Sequence, residues 1–486
     1  MCDLTQIIKA NDIRGLVPEE FDVEGARALG AAFADVIAAG RPDTQLTVAI
    51  GWDMRDSSPE LATAFAEGVT WRGGDVVNLG LCSTDGLYYA SGAWDMPGAM
   101  FTASHNPAQY NGIKLCGPGA RPVGRDSGLA DVRHLAEQYL TEGVPAATQT
   151  GTTSSSDVLT DYATHLRSLV DLSGIRPLKV VVDAGNAMAA LTAPAVLGGE
   201  AGLADPGLDI VLMYPELDGS FPHHEPNPLV PENLLDLQAA VVAEQADVGL
   251  AFDGDADRCV VVDERGAAVS PSAITVIVAL RELAAEKAAG RTGTVIHNLI
   301  TSRAVPEYVE AGGGTAVRTP VGHSFMKAQM AAHDAVFGGE HSGHYYFRDF
   351  WFADTGMLAA LHVLRALGEP EQTMTLSELA EVHTPYSTSG EINSRVSDVP
   401  EVLDRVRAAF AEDVAAGTVV VDDLDGLLLS HWSEPPRWWF NLRGSNTEPL
   451  LRLNVEAEDE DIMVKIRDGV LGIVRAEGRP DHQEEQ

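Results

Sequence analysis

The chain has 486 residues, 45% of them hydrophobic, and a formal net charge of −38. This length exceeds one ordinary hydrophobic core and predicts about three or four domains. The negative charge argues against nucleic acid as a partner, and it admits phosphorylated small molecules only where the chain gathers its own cations.

The sequence shows no targeting or membrane segment. Its start, MCDLTQIIKAND, lacks a basic stretch followed by an apolar core, and no apolar run approaches the roughly 20 residues that cross a bilayer. The four cysteines, Cys2, Cys82, Cys116 and Cys259, are scattered and form no CxxC pair. We therefore expect a cytoplasmic protein without a membrane partner.

Most of the chain alternates apolar, strand-like runs with stretches of helical period. The predicted strands are QLTVAIGWD, DVVNLGLC, LKVVVDAGN, DIVLMYP, DVGLAFDGD and TVIHNLI. The predicted helices include LLDLQAAVVAEQA and AITVIVALRELAAEKAA. This alternation predicts α/β units with mainly parallel sheets, in which ligands bind at the carboxyl ends of the strands.

Three polar segments divide the chain. The segment 146–157 predicts a linker, 263–266 predicts a turn into a third unit, and 384–390 precedes a different-looking tail. The tail carries one predicted long helix over 399–415, followed by two predicted strands.

The resulting domain prediction has four parts. The expected domains are α/β units over 1–150, 156–264 and 265–375, and a smaller α+β domain over 385–486.

The first of four loops with candidate catalytic or binding residues is TASHNP, which directly follows the apolar run GAMF. Ser104 or Asn106 is suited to capping a helix. Ser104 is also a candidate nucleophile, although the G-x-S-x-G elbow of α/β-hydrolases is absent. As a phosphate carrier it requires a metal ion or cations to offset about two negative charges.

The second loop is DGDADR, in which Asp253, Asp255 and Asp257 alternate. Carboxylates this close repel one another, so the pattern predicts a divalent cation. An EF-hand is disfavoured because Arg258 occupies the position of its invariant glycine. An aspartyl-phosphate enzyme, with Asp253 as nucleophile and Asp255 as acid, stays open.

The third loop is GGEHSGHYYF, which carries Glu340, Ser342 and His344. We predict an extended segment, which would place the three side chains on one side. A carboxylate and a hydroxyl can fix neighbouring sugar hydroxyls, and His344 can transfer a proton near neutral pH. An ordinary polar loop is the alternative.

The fourth loop is LRGSNTEP in the tail. Arg443 together with Ser445, Asn446 and Thr447 supplies donors suited to a phosphate dianion. The alternative interpretation of this segment is a strand-to-helix turn in which Ser445 or Asn446 caps the helix.

Taken together, TASHNP, DGDADR, GEHSGH and RGSNTEP in this order resemble the α-D-phosphohexomutase family, and most closely its bacterial phosphomannomutase/phosphoglucomutase branch. The resemblance extends from NDIRG to RGSNTEPLLRLNVE. It implies three similar α/β domains and a fourth α+β domain around a central cleft.

The resemblance also implies a set of functional residues. Ser104 becomes the phosphoserine, and its phosphate joins Asp253, Asp255 and Asp257 in holding one Mg²⁺ ion. Glu340, Ser342 and His344 form the sugar loop, and the tail loop binds the phosphate that is not reacting. Further cleft residues matched to the family pattern are Arg14, Lys114, Arg258 and His323.

Three departures from the family pattern concern individual contacts. Asn11 replaces the usual Tyr of the N-terminal motif, NLITS lacks a Lys that some members carry, and His341 stands where many relatives have Met. Glucosamine mutases share G-E-x-S-G-H, so this loop does not exclude them.

The expected reaction interconverts hexose 1-phosphate and hexose 6-phosphate of mannose or glucose. Ser104 donates its phosphoryl group, a hexose 1,6-bisphosphate forms, and the other phosphoryl returns to Ser104. We assign proton transfer to Lys114 or His344, and orientation of the loop to His105. The expected partners are hexose phosphates, and the expected assembly is a monomer or a small homo-oligomer.

Three alternative functions stay open at this point. They are a phosphoglucosamine mutase, an aspartyl-phosphate sugar phosphatase and a non-catalytic sugar-phosphate binding protein.

Overall fold

A computed structural model of the chain describes residues 3–9, 12–41, 44–444 and 450–476. It contains three α/β units and a fourth unit with an antiparallel sheet, which confirms the predicted fold class. Within these ranges, no helix combines the length and the apolar character needed to cross a bilayer.

The first unit covers residues 4–155 and carries a mixed sheet. Its strands, in spatial order, are Ile13–Leu16, Tyr110–Gly117, Gly98–Phe101, Thr47–Trp52, Asp75–Leu81 and Thr153–Ser155, with Arg121–Pro122 paired to Tyr110–Gly117. Its helices are Leu4–Ile7, Val23–Gly40, Ser58–Trp71, Thr84–Trp94, the short 3-10 turn Arg125–Ser127, and Leu129–Glu142.

The strand Thr153–Ser155 corrects the prediction for 146–157. This segment is not simply a linker, because Thr153 pairs in parallel with Val76 and extends the first sheet. Its polar letters hid the strand because it lies exposed at the edge of the sheet.

The second unit covers residues 159–263. Its strands, in spatial order, are Cys259–Asp263, Val248–Phe252, Leu178–Asp183 and Leu208–Met213. Its helices are Leu159–Leu169, Ala189–Leu197, the 3-10 helix Pro231–Leu234, and Leu235–Glu244. The central strand Val248–Phe252 is buried throughout and ends at the DGDADR loop.

The third unit covers residues 271–382. Its strands, in spatial order, are Thr315–Thr319, Thr294–Asn298, Phe337–Gly339, Tyr345–Phe347 and Ala353–Asp354. Its helices are Pro271–Ala288, Ala304–Ala311, His323–Ala332, the 3-10 turn Arg348–Phe350, Gly356–Gly368 and Leu376–Val382.

The fourth unit covers residues 387–474. Its antiparallel strands, in spatial order, are Ser387–Arg395, Leu450–Ala457, Trp438–Gly444, Leu427–His431 and Val420–Asp422. Its helices are Val399–Ala409, Ala411–Ala415 and Glu460–Val474. The prediction of one long helix over 399–415 is wrong, because the helix breaks at Phe410, whose ring packs against Trp438 and Phe440.

One hydrophobic cluster runs through the first three units, which also have clusters of their own, and the fourth unit has a separate core. Leu87, Val180 and Val276 belong to the shared cluster, and Phe440 and Leu453 belong to the separate core. The loops that carry Ser104, Asp253 and Glu340 each follow a strand at its carboxyl end, where ligands bind in α/β sheets, and Arg443 lies at the end of a strand of the fourth unit.

Candidate active site

Ser104 lies just beyond the buried strand Gly98–Phe101, in a turn that leads into the strand Tyr110–Gly117. No helix follows it, so the helix-cap interpretation is wrong. Its Oγ donates a hydrogen bond of 2.8 Å to Asp253 Oδ2 in the second unit. His105 Nδ1 lies 3.1 Å from the same Oγ. A buried hydroxyl of one unit is thus tied to a carboxylate of the next.

Asp253, Asp255 and Asp257 form one buried cluster. Each can offer an oxygen such that these atoms all lie within 4.8 Å of one another, and the three residues are at most 1% exposed. Oδ1 of Asp255 and Oδ1 of Asp257 have no hydrogen-bond partner among the described residues. Buried oxygens without donors fit a divalent cation, which takes oxygen ligands.

Burial and charge repulsion within this cluster change its protonation. Burial and the charge of Asp255 raise the pKa of Asp253 to about 6. The same two causes raise the pKa of Asp257 well above its ordinary value. Burial opposes ionisation of Asp255 as well, but Lys114 and Thr84 outweigh it and hold its pKa below the usual range.

Lys114 brings a positive charge to the cluster. It lies on the strand Tyr110–Gly117, opposite Met100, and its Nζ donates to Asp255 Oδ2 at 2.6 Å and to Asp257 Oδ2 at 2.5 Å. Burial disfavours the charged amine, but Asp255 and Asp257 prevail and raise the pKa of Lys114. Lys114 is therefore protonated in this arrangement.

The segment that carries Glu340, Ser342 and His344 is a hairpin turn. The Glu340 N–H donates to the His344 carbonyl at 3.0 Å, and Gly343 has a φ of 78°. The prediction of an extended segment is therefore wrong. The chain instead reverses direction between the antiparallel strands Phe337–Gly339 and Tyr345–Phe347.

The turn nevertheless brings Ser342 and His344 together and joins them to the aspartate loop. Arg258 Nε donates to His344 Nε2 at 3.2 Å, so the ring proton of His344 lies on Nδ1, which contacts Ser342 Oγ at 3.0 Å. Arg258 Nε also lies 3.5 Å from Asp253 Oδ2. Burial and Arg258 lower the pKa of His344 well below its ordinary value.

Glu340 is buried, and both of its carboxylate oxygens already accept hydrogen bonds. Tyr346 OH donates to Oε2 at 2.7 Å, and Asn298 Nδ2 and the Gly322 N–H donate to Oε1 at 3.3 and 3.2 Å. Burial raises the pKa of Glu340. Nδ1 of His341, which replaces the common Met, accepts from Asn298 Nδ2 across 3.1 Å.

Two further predicted residues lie beside these loops. Arg14 donates to Asn106 Oδ1 and to Asp12 Oδ2, both at 2.6 Å, and so borders the Ser104 turn. His323 begins the helix His323–Ala332, and burial together with nearby Lys327 lowers its pKa to about 4. The pKa of His105 is also lowered, by burial and by Arg258 and Arg14.

Arg443 lies at the end of the strand Trp438–Gly444 in the fourth unit. It donates to Glu391 Oε2 at 2.9 Å, and Arg452 Nη1 lies 3.3 Å from Glu391 Oε1. The guanidinium is therefore paired with a carboxylate of its own unit. Ser445, Asn446 and Thr447 lie outside the described residues, as does Asn11.

Comparison with known proteins covers all four units. Family profiles for phosphoglucomutase/phosphomannomutase match residues 5–139 (alpha/beta/alpha domain I), 160–266 (domain II), 271–386 (domain III) and 391–473 (C-terminal domain). The chain belongs to the phosphoglucomutase/phosphomannomutase family.

Individual members of the family are similar over nearly the whole chain. A phosphomannomutase of Salmonella typhimurium is 38% identical over 94% of this chain and 96% of its own length. A protein of Xanthomonas campestris pv. campestris named phosphohexose mutases is 37% identical over 94% of this chain and 96% of its own. The crystal structure of a phosphoglucomutase/phosphomannomutase family protein from Burkholderia thailandensis superposes with a TM-score of 0.83 at 29% identity and covers 99% of both chains.

Two further residues beside the site, Lys327 and Asp354, belong to none of the sequence motifs described above. Lys327 is buried. Its Nζ lies 2.7 Å from Asp354 Oδ1 and 4.2 Å from the centre of the Tyr88 ring. Its position one helical turn after His323 is a signal that could have found it. Asp354 forms a second potential ligand group with Asp257 and His344, and no local motif marks it.

Proposed function

We propose that this chain interconverts hexose 1-phosphate and hexose 6-phosphate, of mannose or glucose, with Ser104 as the phosphoryl carrier. The observation that carries the proposal is the 2.8 Å contact between Ser104 Oγ and Asp253. It joins a buried hydroxyl to a cluster that can hold a cation, and a phosphate on this hydroxyl requires such a counter-charge. The chain's family membership agrees with this reaction.

Mg²⁺ is the proposed cation, held by Asp253, Asp255 and Asp257 together with the phosphate on Ser104. When bound, it supplies positive charge that offsets the negative charge of the transferring phosphoryl group. Hard oxygen ligands of this kind suit Mg²⁺.

In the proposed reaction, an oxygen of the sugar bonds to phosphorus while the bond from phosphorus to Ser104 Oγ breaks. The resulting hexose 1,6-bisphosphate turns over in the cleft and returns its other phosphoryl group to Ser104 by the reverse step. The protonated Lys114 supplies the proton that Ser104 Oγ takes up, and His344, which is neutral because its pKa is lowered, accepts the proton that the sugar hydroxyl gives up. His105, 3.1 Å from Ser104 Oγ, orients the hydroxyl.

The remaining site residues hold the substrate in this proposal. Glu340 and Ser342 bind sugar hydroxyls, while Arg14, Arg258 and His323 line the path of the phosphoryl group. Arg443, with Ser445, Asn446 and Thr447, binds the phosphate that is not reacting. Arg443 then exchanges Glu391 for that phosphate, which keeps its charge paired throughout.

An aspartyl-phosphate mechanism is disfavoured by the surroundings of Asp253. Its Oδ2 accepts from Ser104 and its Oδ1 accepts from the Arg258 N–H at 3.2 Å, and the side chain is 0% exposed.

Ser104→Ala tests the proposal directly. We expect the variant to lose nearly all interconversion of hexose 1-phosphate and hexose 6-phosphate, even with added hexose 1,6-bisphosphate, because the carrier oxygen is gone. Ser127→Ala, which removes a partly exposed hydroxyl in the same unit, is the control. Wild-type turnover in Ser104→Ala would rule out Ser104 as the carrier.

Further expectations stay proposals: the domain division 1–150, 156–264, 265–375 and 385–486, a monomeric or small homo-oligomeric state, and a cytoplasmic location.

A further inference from the structure

Arg55 is a buried cation of the first unit that takes no part in the reaction described above. It follows the strand Thr47–Trp52, and it is 1% exposed. Burying a guanidinium is costly unless its charge is paired and its N–H groups are hydrogen-bonded. The partners of Arg55 therefore indicate its role.

The guanidinium donates to four backbone carbonyls of the turn that carries Ser104. Nη2 donates to the carbonyls of Ser104 at 3.0 Å and Asn106 at 2.7 Å, and Nη1 donates to those of Pro107 at 2.8 Å and Tyr110 at 3.0 Å. One side chain thus fixes the backbone of the turn from the serine to the start of the next strand.

Asp53 fixes Arg55 in turn. Its Oδ1 accepts from the Arg55 N–H at 3.0 Å and from Ser58 Oγ at 2.7 Å, and its Oδ2 accepts from Arg55 Nε at 3.2 Å. The Asp53 N–H donates to the Phe101 carbonyl at 2.9 Å. The guanidinium is therefore anchored to the sheet itself.

The turn needs this support because Ser104 has a φ of 50°, in the left-handed region that residues other than glycine rarely adopt. Its carbonyl is also enclosed on the other side, since a Cβ on Gly254 would lie 2.2 Å from the Ser104 oxygen. In this disfavoured conformation, Ser104 Oγ faces Asp253.

The second unit packs over Arg55. The ring centre of Phe221 lies 5.0 Å from the guanidinium carbon, and a Cβ on Gly219 would lie 2.7 Å from Arg55 Cα. Arg55 is thus enclosed by the units that supply Ser104 and the aspartate cluster.

We infer that Arg55 is a positioning residue for phosphoryl transfer, which keeps Ser104 in the one conformation that directs its Oγ toward Asp253. The inference rests on the function proposed above. A lysine keeps the charge but concentrates its donors on one nitrogen, so it cannot span the four carbonyls. A misplacement of about 1 Å at a reacting atom costs roughly 100-fold in rate.

The same misplacement admits water to the phosphorylated serine. A water oxygen then bonds to phosphorus while the bond to Ser104 Oγ breaks, which releases inorganic phosphate and restores the hydroxyl. The lifetime of the phosphoserine therefore reports the position of Ser104, whereas a loss of folded protein alone does not change that lifetime.

The test compares wild type, Arg55→Lys and the control Arg72→Lys. Arg72 makes the same kinds of bonds in the same unit, to Asp35 and to the Pro145 carbonyl, but does not contact the Ser104 turn. We measure kcat and KM with saturating hexose 1,6-bisphosphate. We also measure the rate at which the phosphorylated protein loses phosphate in the absence of sugar. The kcat and the rate of phosphate loss are expressed per molecule of protein that accepts phosphate.

For Arg55→Lys, we expect kcat to fall about 30- to 100-fold while KM stays within about threefold. We also expect phosphate loss to water to accelerate roughly tenfold. Arg72→Lys should match wild type in all three quantities. A kcat and a phosphoserine lifetime for Arg55→Lys within about twofold of wild type would overturn the inference.

If Arg55→Lys does not fold, as judged by circular dichroism, Asp53→Asn replaces it. This variant loosens Arg55 while keeping an oxygen acceptor, and a normal kcat per phosphorylated molecule would equally overturn the inference. A wild-type protein that takes no phosphate on Ser104 would refute the proposed function and the inference together. Normal wild-type turnover with an unaffected Arg55→Lys would refute the inference alone.

Discussion

At the residue scale, Asp255 is the clearest candidate ligand of the proposed cation site. Its Oδ1 has no hydrogen-bond partner among the described residues, while its Oδ2 accepts from Lys114 at 2.6 Å and from Thr84 at 2.5 Å. Lys114 and Thr84 lower the pKa of this carboxylate and fix it, and its other oxygen is available to the proposed metal ion. The site therefore needs the charge of Asp255 as well as its shape.

We predict that Asp255→Asn weakens Mg²⁺ binding by at least about tenfold, because one charge leaves a site of three carboxylates. Titration calorimetry of Mg²⁺ into the protein measures this without relying on turnover, and kcat should fall in parallel. Asp236→Asn removes a carboxylate of the same unit that contacts Tyr214 and should bind Mg²⁺ normally. An unchanged Mg²⁺ affinity for Asp255→Asn would contradict the assignment of the metal site.

At the scale of the elements, the hairpin turn 340–344 is the segment proposed to bind the sugar. Glu340 is held by Tyr346, Asn298 and Gly322, and Ser342 is held by His344, so these side chains are fixed before substrate enters. The hydroxyls that they are proposed to bind are shared by mannose and glucose, which differ at C2.

We therefore predict similar specificity constants for mannose 1-phosphate and glucose 1-phosphate, within about tenfold. Glu340→Gln should lower both by about the same factor, because the contact is common to both sugars. Glu264→Gln, which alters a partly buried glutamate bonded to Ser377, is the control and should leave both constants unchanged. A wild-type preference above about a hundredfold for either hexose would mean that a residue reads C2.

The sequence predicts where the strands and loops of this site lie better than it predicts the conformation of the loops. Buried strands such as Val248–Phe252 are apolar throughout and end at marked polar residues, so period and composition locate them. The alternating residues at 340–344 also fit a strand, and the turn is distinguished by the hydrogen bond from the Glu340 N–H to the His344 carbonyl and by the positive φ of Gly343.

Residues that are distant in sequence but meet in the fold could not be predicted from local pattern. Arg55 contacts the Ser104 turn about fifty positions later in the chain, and Asp354 reaches the site only because the third sheet places it beside Lys327. Such pairs depend on tertiary packing, which no short motif encodes.

At the scale of the whole molecule, Asp85 joins the first three units. Its buried carboxylate accepts from Ser83 of its own unit, from Tyr162 of the second at 2.5 Å and from Thr355 of the third at 2.7 Å. Burial raises the pKa of Asp85 to about 6, although these hydroxyls oppose the rise.

A raised pKa in the folded state makes this junction weaken as the pH rises. Below pH 3.8, the pKa of the group in the unfolded chain, the carboxyl is protonated in both states and its contribution to the free energy of unfolding is complete. This contribution falls as the pH rises and is lost once the pH passes the folded-state pKa of about 6. Between about pH 5 and pH 7, we expect wild type to lose roughly 1 kcal/mol of unfolding free energy that Asp85→Asn does not lose.

Scanning calorimetry at the two pH values measures this as a change in the difference between the melting temperatures of wild type and Asp85→Asn. Asp161→Asn, which alters an exposed carboxylate on the helix of Tyr162, should show no such change. A difference for Asp85→Asn that is independent of pH would show that Asp85 has no raised pKa in the folded protein.

The central claim is that Ser104 carries a phosphoryl group and exchanges it with the substrate. The most direct measurement is intact-mass and peptide mass spectrometry of the protein. Spectra are recorded after incubation with hexose 1,6-bisphosphate and again after addition of hexose 1-phosphate or hexose 6-phosphate. We expect one phosphate on the peptide that contains Ser104 and its transfer to the sugar, as a bisphosphate, when the hexose phosphate is added. Turnover of hexose phosphates while Ser104 never carries phosphate, or a phosphate on Ser104 that does not pass to the sugar, would rule out Ser104 as the carrier.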